Sequence, residues 1–322
     1  MHSSLFFKLF PPPKLLVMTH AGLHISDDAL RCIEYTKRKG QLVISKYGQA
    51  AIPTGLIEGG VIKDEKAVGD LLKDFCRRYD LSYVKVSVPE EKSYLFQTDV
   101  PSRDVRIAAQ NIEFKLEENV PLAASDMVFY FDLLPTNGSN GSLRASVSVV
   151  QRAFVEHTME ILREVGMYPV AFEVLPKAIA RAAIEPKAPG AQMIIYIMPQ
   201  KTGIYIVSGG VICFTSTIAW GSQNKNPGQT SDLAALTQEV SRVYTYWDSH
   251  SVVDSAIDGI LLVGKESLRF EESLRRAVSD IGLKVNVIDV WHNVFDTEHY
   301  VPPISRDESL DYAAAAGLAM SL

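Results

Sequence analysis

Residues Met193–Ile218 read MIIYIMPQKTGIYIVSGGVICFTSTI, and this stretch decides the fold. Met193–Ile197 and Gly203–Ser208 are apolar runs of strand length, Gly209-Gly210 is a two-residue hairpin signal, and Val211–Ile218 is a third run. Downstream, Leu233–Tyr246 has the spacing of an amphipathic helix and Ile257–Val263 that of a buried strand. The same order stands roughly 180 residues earlier. Strand-like runs at Leu15–Met18, Ile25–Tyr35 and Gln41–Tyr47 precede a helix over Asp64–Tyr79 and a valine-rich strand over Tyr83–Val88. Three antiparallel strands, a helix and a further strand, written twice, predict a pseudo-symmetric pair of α/β lobes facing a cleft.

Between the copies lies an α+β module. Val105–Asn119 and Arg152–Val165 read as helices, and Met127–Leu134, Leu143–Val150 and Pro169–Glu173 as strands. The expected organisation is a flexible tail over 1–14 and a first lobe over 15–190 with a module inserted at about 91–150. A second lobe over 191–305 follows, then a helix over 306–322 that returns to the first lobe. Its alanine-rich end, Leu310–Met320, predicts close backbone packing, because Ala and Gly let a neighbouring chain approach.

Composition narrows the function. The chain has 322 residues, 47% of them hydrophobic and 22% charged, which is enough apolar material for more than one core. Its net charge of −6 opposes polyphosphate, so no nucleic-acid partner is expected. Three widely spaced cysteines, Cys32, Cys76 and Cys213, form neither a disulfide framework nor a C-x-x-C pair. No run approaches the ~18 apolar residues of a membrane span. The opening Leu5, Phe6, Phe7, Leu9 and Phe10 patch, cut by Lys8 and followed by Pro11–Pro13, lacks the features of a signal peptide.

Local motifs give little chemistry. Gly259 to Lys265 matches most of G-x-x-x-x-G-K-[ST], but its middle, Ile260–Val263, is a buried strand rather than a phosphate-cradling turn. Glu266 replaces the hydroxyl that would meet magnesium. His20 and His24 have zinc spacing only on a helix; along a strand they stand ~13 Å apart, so no metal site is expected.

Several strings in this order resemble the type IV pilus assembly protein PilM family of the actin-like ATPase superfamily. AGLHISDDALRCIEY (Ala21–Tyr35) is similar to that family's G-x-D-I-G opening, and IEFKLEENVPLAASDMVFYFDLL (Ile112–Leu134) to its inserted subdomain. ILREVGMYPVAFEVLPKAIARA (Ile161–Ala182) resembles its interlobe link, carried by Gly166, Pro169, Glu173, Ala180 and Arg181. LTQEVSRVYTYWDSH (Leu236–His250) and AAAAGLAM look like its later helices. The resemblance covers Leu16–Met320 and implies a duplicated, RNase H-like two-lobed fold.

Departures from the family pattern imply a degenerate nucleotide cleft at Gly22, His24, Ser26, Asp27, Pro199, Lys201, Thr202, Gly203, Gly264, Lys265 and Glu266. His24 and Ser26 stand where nucleotide-binding relatives carry an Asp and a Gly, and Asp27 and Asp28 add negative charge beside them. Pro199 removes a backbone donor, Lys265 replaces a glycine, and Ser222–Ser231 stands where relatives carry a small helical subdomain. The expectation is a pseudo-ATPase scaffold with no catalytic residue, no metal and no cofactor; ATP with magnesium is possible on this fold but not expected. By resemblance the partner is the N-terminal cytoplasmic peptide of a PilN-like inner-membrane protein, with other pilus assembly proteins. The chain would then be cytoplasmic and peripheral to the inner membrane through that partner. The competing reading is an active ATPase or sugar-kinase-like enzyme on the same fold.

Overall fold

The computed structural model describes residues 19–38, 40–134, 143–186, 188, 190–223, 225–250, 255–295 and 299–320. The expected tail over 1–14 and the strand expected over Leu15–Met18 lie outside them. The first sheet contains β1 (Ala21–Ile25), β2 (Ala29–Arg38) and β3 (Gln41–Ala51). The small β4 (Ile57–Glu58) and β5 (Val61–Ile62) hairpin and helix α1 (Glu65–Tyr79) follow, then β6 (Tyr83–Val88). Asp64 caps α1 by accepting the Ala67 N–H at 2.9 Å, and Asp80 ends it in the left-handed conformation.

The single strand expected over Ile25–Tyr35 is corrected. The chain reverses at Ser26–Asp28, where the Ala29 amide donates to Ser26 Oγ at 3.1 Å and the Ser26 amide to the Ala29 carbonyl at 3.0 Å. Gly22, which falls between the runs expected at Leu15–Met18 and Ile25–Tyr35, lies inside β1. A side chain there would collide with helix backbone, which sequence periodicity does not reveal.

The module comprises β7 (Ser93–Val100), α2 (Val105–Asn119), β8 (Met127–Leu133) and β9 (Leu143–Gln151). Then α3 (Arg152–Glu164), β10 (Tyr168–Val174) and α4 (Leu175–Ala183) return the chain to the first lobe. Strand order there is β10-β6-β1-β2-β3, and the module's own sheet is ordered β7-β9-β8. The second lobe repeats the plan with β11 (Ala191–Ile197), β12 (Thr202–Ser208), β13 (Val211–Ile218), α5 (Thr230–His250), β14 (Ile257–Val263), α6 (Ser267–Ala277) and β15 (Lys284–Val287). Its order is β13-β12-β11-β14-β15, with β12 and β13 joined through Gly209 and Gly210, both at positive φ. The short α7 (Arg306–Ser309) and then α8 (Ala313–Ala319) close the chain.

One apolar cluster joins the lobes: Ile33 of the first sheet, Ile179 of α4, Ala315 of α8, and Tyr196, Tyr205 and Val263 of the second sheet. Helix α8 lies on β1 so closely that a Cβ on Gly22 would stand 2.1 Å from the Ala315 carbonyl oxygen. One on Gly317 would stand 1.8 Å from the Ala178 carbonyl oxygen in α4. Arg181 adds a polar pin: it donates to the Gly317 carbonyl at 2.7 Å and pairs with the buried Glu173, which also takes Lys85 at 2.9 Å. Burial opposes ionisation of Glu173, but Arg181 and then Lys85 outweigh it and hold the carboxyl below its usual range. The module docks on the second lobe through Gln97 and Ser146, which donate to the Cys213 and Ile212 carbonyls at 3.0 and 2.5 Å. No helix among the described residues is long and apolar enough to cross a membrane.

Gly22→Ala is therefore expected to lower unfolding stability by roughly 2–3 kcal/mol through overpacking. Gly69→Ala, in α1 with open space around it, should raise it by about 0.5–1 kcal/mol. Urea denaturation of the three proteins checks this; an unchanged midpoint for Gly22→Ala would contradict the packing described.

Candidate functional site

The cleft between the lobes is built from the β1–β2 turn and the start of the module on one side and the β11–β12 turn on the other. Asp27, at the tip of the first turn, accepts the Gly59 and Gly60 amides at 3.1 and 3.0 Å, because the β4–β5 hairpin packs its turn against it. The β11–β12 turn is closed by Met198, whose amide donates to the Lys201 carbonyl at 3.0 Å. It is held down from behind, where Ser222 and Gln223 amides donate to the Met198 and Pro199 carbonyls. Gly221 is required for that approach, since a Cβ there would stand 2.2 Å from the Pro199 oxygen.

Lys201 bridges the two sides. Its ammonium lies 3.2 Å from Asp27 Oδ2 and in contact with Glu91 Oε1, so a cation of the second lobe sits between two carboxylates of the first. Burial disfavours that charge, but Glu91, Glu90 and Asp27 outweigh it and raise the lysine above its ordinary range. Beneath it Glu90 is buried, and its carboxylate accepts from Tyr205 Oη at 3.1 Å and Thr217 Oγ1 at 3.3 Å. Burial, then the charge of Glu91, pushes the Glu90 carboxyl upward. Gly203 makes the Tyr205 contact possible: a Cβ there would lie 2.0 Å from the tyrosine oxygen.

The remaining space is small. Asp27, Asp28, Met198, Pro199, Gln200 and Lys201 line a cavity of about 20 Å³, against the ~300 Å³ or more typical of a small-molecule site.

A second bridge runs alongside. Arg31 lies 3.3 Å from Asp28 and 3.7 Å from Asp311, and Asp311 accepts the Lys265 amide at 2.8 Å. Asp27 and Asp28 are thus both paired, so the repulsion expected from two bare carboxylates is replaced by neutralised charge. Gly264 turns the chain at φ +89°, with room for no Cβ beside the Ile197 carbonyl. Lys265 is exposed, and Glu266 pairs with Arg269 at 2.7 Å.

The predicted residues do not all share one wall. Asp27, Pro199 and Lys201 converge, and Gly264 and Lys265 join them through Asp311, Arg31 and Asp28. Gly22 is corrected: it faces α8 rather than the cleft. His24 and Ser26 are buried, and His24 Nδ1 lies 2.9 Å from Ser87 Oγ. Thr202 is fully buried, and its hydroxyl has no hydrogen-bond partner among the described residues. The segment after Gly221 forms turns and leads directly into α5, with no helical subdomain among the described residues. Sequence reading missed Glu90, Glu91, Arg31, Tyr205 and Asp311. The acidic pair was findable, because it follows the carboxyl end of a parallel strand, where clefts in α/β sheets open. Among the described residues no group of three or more acidic, histidine or cysteine side chains is placed to hold a metal.

A family model described as type IV pilus assembly protein PilM matches residues 22–227. No curated protein matches the chain significantly. Among solved structures, the PilM-PilN type IV pilus biogenesis complex is similar over 94% of this chain and 98% of its own, with 18% identity and a TM-score of 0.76. That likeness is one of fold. The ethanolamine utilization protein EutJ from Carboxydothermus hydrogenoformans aligns over 96% and 90% at 12% identity, TM-score 0.49. The cytoplasmic domain of EpsL, from the type II secretion system of Vibrio cholerae, aligns over 76% and 82% at 10% identity, TM-score 0.47.

Burial, then the positive charge of Arg31, pushes the His24 imidazole from 6.5 down to about 3. The unfolded chain therefore binds a proton that the folded chain refuses between those values, and stability falls as pH drops through that window. From pH 6.5 to 5 the loss is about 1.6 kcal/mol. Denaturation midpoints of wild type and His24→Gln across that range should differ in slope, whatever their absolute stabilities; equal slopes would contradict a buried neutral imidazole.

Proposed function

Because the chain belongs to the type IV pilus assembly protein PilM family, we propose that it is an actin-like scaffold that holds the cytoplasmic tail of a PilN-like inner-membrane protein without hydrolysing ATP. The observation that carries the first part is a groove of about 380 Å³ between the module and the first lobe. Val128, Phe129, Val150 and Val155 face Phe172 and Val174 across it, and Lys85, Glu173 and Lys177 also line it. The strands that bound it, β8 and β10, are edge strands of their sheets. An extended peptide entering there gains main-chain hydrogen bonds from a free edge and side-chain specificity from the apolar wall.

The aromatics of the module divide between the two tasks. Phe96, Phe129 and Phe131 pack on the module's own core of Ile112, Leu116 and Val147, while Phe129 also reaches the groove. Tyr94 instead lines a separate cavity of about 520 Å³ with Ile62, Pro89, Leu122 and Phe154. Only the smaller groove runs along β8 and β10, which favours it for a strand-like ligand.

The residues in the interlobe cleft do not fit magnesium and a triphosphate. Lys201 lies between Asp27 and Glu91, and Asp27 is already engaged by two backbone amides. A polyanion entering there would displace the lysine and leave the Asp27 and Glu91 carboxylates facing its own charge. This opposes the reading as an active ATPase or sugar-kinase-like enzyme. Membrane association follows, on this proposal, from the partner.

Fluorescence anisotropy with a labelled N-terminal peptide of a PilN-like protein from the same organism tests the scaffold reading. Saturable binding is expected, weakened at least roughly tenfold by Ala171→Asp in the groove while circular dichroism stays unchanged. No binding to wild type, or equal binding to the variant, would overturn it.

A further inference from the structure

Thr19 is the first described residue, and 18 residues precede it in the sequence. They include the apolar run Leu5-Phe6-Phe7-Lys8-Leu9-Phe10, then Pro11-Pro12-Pro13, then Lys14–Met18. Strand β1 starts at the same end of the first sheet as β6 and β10. Ala21 pairs with Val84, Tyr168 pairs with Tyr83, and the three strands run parallel. The chain thus enters β1 two strands, about 10 Å, from the free edge of β10.

That edge carries an apolar track. At its start Tyr83 and Tyr168 are exposed, with ring centroids 6.1 Å apart, and Val170 follows, exposed where the register shifts. Ala171, Phe172 and Val174 continue the track into the groove shared with β8. From Tyr168 to Phe172 the strand reads YPVAF, with none of the charges that usually guard an exposed edge.

We propose that the chain's own segment Leu5–Pro13 lies along this track, antiparallel to β10, with the prolines on the tyrosine pair and Leu5–Phe10 in the groove. The order of features in the sequence matches their order on the surface. Counting back from Thr19, Lys14–Met18 reach about 16 Å when extended, enough to pass the ends of β6 and β10. The prolines then arrive at Tyr83 and Tyr168, and stiff Pro-rich segments dock on aromatic surfaces. Three prolines cover about 9 Å, and Tyr168 to Ala171 is about 10 Å of strand, so Phe10 arrives at the mouth of the groove. Leu5, Phe7 and Leu9 alternate with Lys8, which lets one side of an added strand meet the apolar wall while the lysine points away. A segment tethered this closely acts at millimolar effective concentration. A partner peptide must therefore displace it. That consequence rests on the peptide reading above, whereas the contact itself does not.

The full chain carrying Leu9→Cys and Ala171→Cys should form a disulfide within one chain on mild oxidation, identified by mass spectrometry. Leu9→Cys with Asp280→Cys, exposed on the second lobe, should not. The full chain carrying Phe7→Asp and Leu9→Asp should bind the N-terminal peptide of a PilN-like protein about tenfold more tightly than wild type in fluorescence anisotropy. A disulfide to position 171 that fails to form, or that joins two chains, would overturn the proposal, as would equal saturable affinity of variant and wild type. If the disulfide forms and neither protein binds the peptide, the peptide reading fails while the contact of the segment with its own groove stands.

Discussion

The lysine at position 201 sits between Asp27 and Glu91, and much of the cleft is arranged around that ammonium. Its neighbours are fixed by unrelated demands: Asp27 caps the turn of a small hairpin, and Glu91 follows the end of a parallel strand. Removing the lysine would leave two carboxylates close together, with a third, the buried Glu90, beneath them. Like charges so placed repel one another, and the ammonium offsets that repulsion.

The lobes are held at the other end by shape rather than by charge. Helices α4 and α8 run against the sheets with glycines at the contact points, and Arg181 ties the Gly317 carbonyl to Glu173. The apolar cluster that includes both helices continues into the second sheet. Strand β10 leads directly into α4, so the groove along β10 and the packing of the lobes are mechanically joined. On the proposed function, a peptide lying along that edge would bear on the element that sets the angle between the lobes.

The architecture was largely legible because it is written in periodicity. The hairpin at Gly209-Gly210, strand Val211–Ile218 and helix Val105–Asn119 fall where spacing predicts them. Ile25–Tyr35 misled because the turn at Ser26–Asp28 is flanked by apolar residues on both sides, so the pattern runs through it. The cleft was less legible. Lys201 and the acidic pair at 90–91 stand more than a hundred positions apart, and nothing local marks them as partners. Gly22 could be read as a place needing no side chain, but not which neighbour required the space.

The non-hydrolysing reading rests on Lys201 holding the position between the lobes against a polyanion. Isothermal titration of the full chain with ATP in the presence of magnesium tests that most directly. The account predicts no saturable heat up to millimolar nucleotide; saturable binding in the micromolar range, with or without turnover, would contradict it.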